Sequence, residues 1–315
     1  MPWPPPPAAP SASSERRPSV LLIAGGLPDP NLHALAQAAA NMAVAWVDLR
    51  VPADASPPFH WDLGVGDPQG ASPGPAIPPW GDGPWPTGAF IRQDVFAAMD
   101  DPRPEVSQRA TGWFAAVQGW LLAHPEVRVF NADIAAVAFH KPAALQRARA
   151  AGLRTPPTWV SNDMARLRPR LSDAVIAKPV AGGGLCQTLA EALDGVEAPF
   201  SAMPALVQPR LVAPEIRLFV VGDHSFAFEV RSPSLDYRAL QDAQLEPVEV
   251  PTEAQALRTL MADFRMDFGA ADFKTDPDTG QLVFLELNTS PMFARFDQAA
   301  GGALCRAMVQ ALTAG

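Results

Sequence analysis

Two side chains that bind hard cations stand two residues apart in the apolar run Leu282-Val-Phe-Leu-Glu-Leu-Asn288. Side chains on a strand alternate faces with a period of two, so Glu286 and Asn288 share a face. A second short run, Phe268-Gly-Ala-Ala-Asp-Phe-Lys274, lies upstream, and the turn formers of Asp276-Pro-Asp-Thr-Gly280 separate the two. A hairpin centred on Thr279 sets Asp272 opposite Glu286, and three oxygen ligands then converge. Asp272, Glu286 and Asn288 suit Mg2+, which takes few carboxylates and completes its shell with water and substrate phosphates.

Residues that could hold those phosphates occur earlier. Lys178 lies in the apolar strand pattern Ala174-Val-Ile-Ala-Lys-Pro179, where a cation costs desolvation energy unless it meets an anion. Gly182, Gly183 and Gly184 follow, a turn whose backbone amides can approach phosphate oxygens closely. The spacing is not that of a P-loop, which ends in Gly-Lys-Ser/Thr. Lys141 stands at a helix start, with Pro142 in the first turn and Gly152 at the C-cap; taken alone it reads as a surface lysine. Glu215, Arg217, Glu229, Arg231, Asp236 and Arg238 crowd the ends of a hairpin turning at Gly222-Asp223, where surface ion pairs are an equal reading.

The 315 residues, 48% hydrophobic, suffice for two or three packed units. A net charge of -9 provides no basic field for nucleic acid or anionic membrane. Cys186 and Cys305 cannot make a disulfide framework or a zinc site, and no window reaches the length of a membrane span. The Pro-rich N-terminus lacks the apolar segment of a signal peptide, so a cytoplasmic protein is expected. Residues 1–17 read as a polyproline-like tail. Strand, helix and strand follow at Ser19–Ala24, Leu32–Met42 and Val44–Leu49, implying a right-handed parallel crossover. Gly25-Gly26 lacks the full dinucleotide fingerprint and reads as a turn. From 53 to 88 runs a long Pro- and Gly-rich loop whose Trp61, Trp80 and Trp85 are expected to cover core. Ala89-Phe-Ile-Arg-Gln93 should be a strand ending at Arg92, and Trp113–Leu122 a core helix. Thr252-Glu-Ala-Gln255 has the pattern of a capping box opening an amphipathic helix, and a last helix spans about 299–312.

The ordered set of Lys141, the Lys178-Pro strand before a glycine turn, Glu215-Ile-Arg217, Asp272 and Leu285-Glu-Leu-Asn288 resembles the ATP-grasp ligases. Leu145-Gln146, Pro157-Thr158, Ser161-Asn162-Asp163, Phe226-Ala227 and Asp236-Tyr-Arg238 are similar to the graspetide or microviridin ligases that cross-link ribosomal peptides, which stand close to the RimK-type ligases. This resemblance implies a mixed α+β / α/β protein: an ATP-grasp fold with an N-terminal parallel α/β domain at 18–130, a central lid subdomain at 131–205 and a C-terminal subdomain at 206–315. It implies that Lys141, Lys178 and the Gly182–Gly184 turn contact the phosphates of ATP, that the Val207-Gln208 backbone edges the adenine, and that Glu215 meets the ribose. Asp272, Glu286 and Asn288 would hold Mg2+, and Arg217, Arg231 and Arg238 would face a carboxylate and its phosphate. The implied reaction passes through an acyl phosphate to an ester or amide on a peptide, or on a small carboxylate substrate, with a homodimer left open. Thr289-Ser-Pro-Met-Phe-Ala-Arg-Phe-Asp297 departs from the Asn-Pro-x-Gly style of many peptide cross-linking members, which bears on the acceptor rather than on ATP. A small-molecule ligase and an inactive nucleotide-binding module are the alternatives.

Overall fold

A computed structural model describes residues 18–54, 57–61, 78–81, 83–92, 101–132, 141–180, 186–232 and 243–314. The expectations for Gly182, Gly183, Gly184 and Arg238, for the 1–17 tail and for much of the 53–88 loop lie outside them.

The apolar run Val20-Leu-Leu-Ile-Ala24 suits a parallel strand covered on both faces, and β1 (Val20–Gly26) is buried along its length. Helix α1 (Pro30–Asn41) starts with Pro30 in its first turn and Asp29 as N-cap, whose side chain accepts from the Asn31 amide. It leads to β2 (Ala45–Val51), and then come β3 (Gly88–Ile91), α2 (Pro104–Ala123) and the short β4 (Arg128–Val129). The sheet order is β2-β1-β3-β4, parallel throughout, so the expected strand–helix–strand crossover is present. The rings of Trp80 and Trp85 lie 4.9 and 5.2 Å from that of Trp120 on α2, and Trp61 joins the same cluster. These tryptophans cover core, as their surroundings in the sequence suggest.

A second unit contains α3 (Lys141–Ala150), β5 (Trp159–Asp163), the single turn α4 (Met164–Leu167), β6 (Val175–Pro179), β7 (Gln187–Thr188), α5 (Leu189–Leu193) and β8 (Phe200–Pro209). Its antiparallel sheet has the order β5-β8-β6-β7 over a small core of Met164, Leu167, Ala177, Leu189 and Val207. The 205/206 boundary expected from the sequence falls inside β8, which pairs with β6 as far as Pro209.

The third unit is built on a five-stranded antiparallel sheet, β11-β10-β9-β12-β13. Its strands are β9 (Val212–Val221), β10 (His224–Arg231), β11 (Gln244–Val248), β12 (Phe268–Thr275) and β13 (Leu282–Asn288), with α6 (Glu253–Asp263) between β11 and β12. Alternation along β9 divides the sheet's two faces. Ile216, Leu218 and Val220 pack beneath α3 and α6 with Leu145, Leu257 and Leu260, while Phe219 joins the N-terminal unit's core. The capping box is not formed: Thr252 has helical φ -60 and ψ -24, and its side chain makes no capping bond, because a cap needs extended backbone to turn the hydroxyl onto the helix.

After β13 come α7 (Ala294–Ala299) and α8 (Ala303–Thr313), and α8 returns to the first sheet. Leu304, Met308 and Leu312 share a core with Leu21, Ile23, Leu35 and Phe90, so the chain's last helix locks the first unit to the third. Gly88 permits the approach, since a Cβ there would stand 2.0 Å from the Leu312 carbonyl oxygen. No helix among the described residues is long and apolar enough to cross a membrane. Gly88→Ala should force β3 and α8 apart and cost about 1–3 kcal/mol, the usual penalty of overpacking; equilibrium urea denaturation checks it, and an unchanged midpoint would contradict the close approach.

Candidate active site

Register builds a charged row across three strands. Asp272 on β12 stands opposite Arg217 on β9 and opposite Glu286 on β13, as the hairpin reading requires. One residue beyond, Phe273 pairs with Phe284, which leaves Leu285 as an extra residue in β13. That bulge bends the strand beside the acidic pair and lets Leu285 and Glu286 both reach the cavity. Arg217 Nη1 donates to Asp272 Oδ1 and Oδ2 at 2.9 and 3.2 Å. Asn288 Nδ2 lies 3.2 Å from Asp272 Oδ2 and 3.5 Å from Glu286 Oε1. Lys141 Nζ, at the start of α3, sits 3.0 Å from Glu286 Oε2. Next to the row, Lys274 pairs with Glu215 at 3.1 Å. These charged and polar residues, with Lys178, line one cavity of about 510 Å³.

Burial dominates the electrostatics of this cluster. Burial pushes the Asp272 carboxyl up to about 7; Arg217 opposes the rise, while Glu286 and Glu215 add to it. Burial likewise holds Lys178 below the ordinary lysine value, against the pull of Glu286, and Lys141 adds to the lowering. Burial, rather than a missing partner, dominates both shifts, since Arg217 and Lys141 already pair with the two carboxylates. Among the described residues no three His, Cys, Asp or Glu side chains form a metal-binding group. Two carboxylates and an amide instead meet at one point, because Asp272 Oδ2 and Glu286 Oε1 both contact the single Asn288 Nδ2. A divalent cation fits there if the Asn288 amide turns its oxygen inward, an orientation hydrogen bonding decides, and if phosphates and water complete the shell.

The structure brings together Lys141, Lys178, Glu215, Arg217, Asp272, Glu286 and Asn288. It does not bring Arg231 into the cavity. That guanidinium is 54% exposed at the end of β10 and pairs with Glu229 at 2.8 Å and Glu246 at 2.6 Å, so its pattern in the sequence is that of a surface ion pair. Val207 and Gln208 are fully buried in β8, and Gln208 Nε2 donates to the Thr158 hydroxyl. The cavity wall begins one residue later, at Pro209-Arg210-Leu211. Glu215, expected at a ribose, is held by Lys274.

Several lining residues had not been singled out. Lys274 shares its face with Asp272 by the same period of two, a signal the sequence carries. Arg210, Arg295 and Asn31 have no local signal and reach the cavity only through the fold. Arg92, expected at a strand end, is wholly buried and forms an ion pair with Asp29 at 2.9 Å.

Comparison with known proteins supplies a fold for this arrangement. No family model and no curated protein matches the chain in sequence. Among solved structures, the ATP-grasp ligase PsnB, complexed with a phosphomimetic variant of its minimal precursor, Mg and ADP, matches with a TM-score of 0.73 at 22% identity, over 94% of this chain and 98% of that one. The macrocyclase MdnC of Microcystis aeruginosa MRC, bound with precursor peptide MdnA, matches with a TM-score of 0.67 at 20% identity, over 93% and 99%. A ribosomal-peptide-associated ATP-grasp ligase of Chryseobacterium gregarium, in complex with ADP and a leader and core peptide, matches at 0.66 and 16%, over 94% and 96%. The chain has the ATP-grasp fold from its first strand to its last helix.

The raised Asp272 value has a consequence for stability. A carboxyl whose folded value lies above its unfolded value contributes stability that is complete below the unfolded value and lost as pH rises through the folded one, here about 7. The ligand-free protein should therefore lose melting temperature between about pH 6 and pH 8 from this group, and Asp272→Asn should flatten that slope. Thermal melts at the two pH values check both; an identical slope in Asp272→Asn would assign the titration to another group.

Proposed function

We propose that the protein is an ATP- and Mg2+-dependent carboxylate ligase that activates a side-chain or terminal carboxylate of a peptide and joins it to a hydroxyl or amine. The observation that carries this reading is the meeting, in one cavity of an ATP-grasp fold, of Asp272, Glu286 and Asn288 with Lys141 and Lys178.

In this reading Lys178, whose burial disfavours its charge in the ligand-free protein, takes a nucleotide phosphate as its counter-ion. Lys141, resting on Glu286, moves to the same phosphates when that carboxylate is needed for the metal. Asp272, Glu286 and Asn288 would hold Mg2+, which would supply charge neutralisation at the transferring phosphoryl group. Arg217 is set between the rings of Phe219 and Phe296, with its carbon 5.5 and 5.4 Å from their centroids. That seat keeps the guanidinium beside Asp272, where it orients the substrate carboxylate. A carboxylate oxygen attacks the γ-phosphorus, the bond to the β-phosphate oxygen breaks and ADP leaves. The nucleophile then adds to the acyl carbon of the acyl phosphate, phosphate departs, and the proton lost by the hydroxyl or amine passes to the departing phosphate. Positioning and fixed charge do most of this work. The Gly182–Gly184 turn would cover the phosphates and the Pro209–Leu211 stretch would edge the base, with Arg238 as a further cation at the carboxylate.

A peptide substrate is supported by the comparisons, since PsnB, MdnC and the Chryseobacterium gregarium ligase are each described with a precursor or a leader and core peptide. A pool of synthetic acidic peptides, each with Asp or Glu near Ser, Thr or Lys, should stimulate ADP release by the purified protein with Mg2+. Mass spectrometry then reads loss of water for an internal ester or amide and a mass gain for an added residue. Glu286→Gln and Lys178→Ala should each lower ADP formation by about 10²-fold or more while the protein stays folded. Undiminished turnover in both would remove the metal and phosphate assignments together.

A further inference from the structure

The charged row has a direction. Lys141 touches Glu286 at one end, and at the other Arg217 rests against Phe296 of α7. The lysine end belongs to the nucleotide in the reading above, so the end toward α7 is left for the carboxylate and its acceptor. Its wall includes Ser290, Pro291, Met292 and Ala294, from the stretch that follows the ligand strand and has no strand pairing of its own.

Side chains from the first part of the chain hold this stretch almost residue by residue. Asn131, in left-handed backbone with φ 55, donates to the carbonyl of Thr289 at 3.2 Å. Arg92 Nη1 donates to the carbonyls of Ser290 and Pro291 at 3.4 and 2.8 Å, and Nη2 to the sulfur of Met292 at 3.2 Å. Asn31 Oδ1 accepts from the amides of Phe293 and Ala294 at 2.6 and 2.8 Å, capping α7 from across the structure. Asn31 Nδ2 donates to Asp29 Oδ1 at 2.7 Å and to the Met292 sulfur at 3.3 Å. Asn31 and Arg92 are both 0% exposed. An arginine does not shed its proton, so a guanidinium buried against Asp29 must keep every acceptor it has. Asn31 likewise uses both of its polar atoms and cannot rotate without breaking several bonds.

We infer that Asn31 and Arg92 are positioning residues which fix the 290–294 stretch, Met292 foremost, as the acceptor-side wall of the cavity, so that the N-terminal unit sets acceptor recognition while leaving the nucleotide site alone. This rests on the ligase reading. A knot that only glued two units together would affect stability and nothing else; a positioning knot moves the Michaelis constant of one substrate and not of the other.

The test uses the full chain with Asn31→Ala, Arg92→Lys and Met292→Ala. Four measurements are made: melting temperature, Mg·ADP affinity by calorimetry, amide exchange of the 289–296 peptide, and KM values for ATP and for the acidic peptide that best stimulates wild-type ADP release. Expected are faster exchange in 289–296 for Asn31→Ala and Arg92→Lys, Mg·ADP affinity and the KM for ATP within about 2-fold of wild type, and a KM for the peptide raised about 10-fold or more in all three variants. Met292 is 48% exposed, so its variant should fold even where loss of a buried polar group unfolds the others. A peptide KM unchanged in folded variants overturns the inference, as does a parallel loss of Mg·ADP affinity. Failure of every acidic peptide to stimulate the wild type, with Mg·ADP still bound, overturns the peptide-ligase reading and the acceptor wall with it.

Discussion

Two carboxylates are brought together in a partly buried cavity, and much of the surrounding architecture compensates that charge. Asp272 and Glu286 are register partners on adjacent strands, a placement that is destabilising for like charges unless cations answer it. Arg217, Lys141 and the Asn288 amide answer it in the ligand-free protein, each from a different element. Removing one partner from a buried pair of this kind typically costs about 3–5 kcal/mol, because the remaining charge is left without compensation.

The five-stranded sheet serves two neighbours with its two faces. Ile216, Leu218 and Val220 bury under α3 and α6, which brings Lys141 at the head of α3 over the edge of β13. The opposite face is apolar where Phe219, Phe228 and Phe268 meet the first unit and α8, and charged where the cover stops. Packing of Phe296 against Phe219 and Phe228 marks that border, with ring separations of 5.1 and 5.2 Å. Arg217 stands at the border with its guanidinium against the aromatic faces, an arrangement that lowers the cost of holding a cation there.

A second buried polar cluster joins the first unit to the stretch after β13. Asp29 caps α1 and neutralises Arg92, Arg92 holds the 290–292 stretch, and Asn31 completes the contact. A segment without a ladder of its own thus acquires a fixed course. The chain after β13 departs most from the pattern the sequence resembles, and here it is held from the N-terminal unit.

The convergence of Asp272, Glu286 and Asn288 was legible in the sequence because period two is a property of the strand itself. Asp272, Glu286 and Asn288 were fixed by one hairpin, and Lys178 was conspicuous as a charge within an apolar run. The parallel crossover at the N-terminus and the tryptophans covering α2 were equally local inferences. Two other local patterns take a different course in the fold. Thr252 has the residues of a capping box without the backbone for it, and Arg231 sits in an arginine-rich pattern yet turns to Glu229 and Glu246 on the surface. Which of two similar arginines enters the cavity depends on strand order: β9 lies beside β12 and sets Arg217 opposite Asp272, whereas Arg231 ends β10, one strand farther away, opposite Gln244 of β11. The sequence determined the chemistry available, through residue types and strand alternation. Only the tertiary structure decided which charges meet, because desolvation and the pairing of Asn31 and Arg92 with residues some 200 to 260 positions away arise when separate units close on one another.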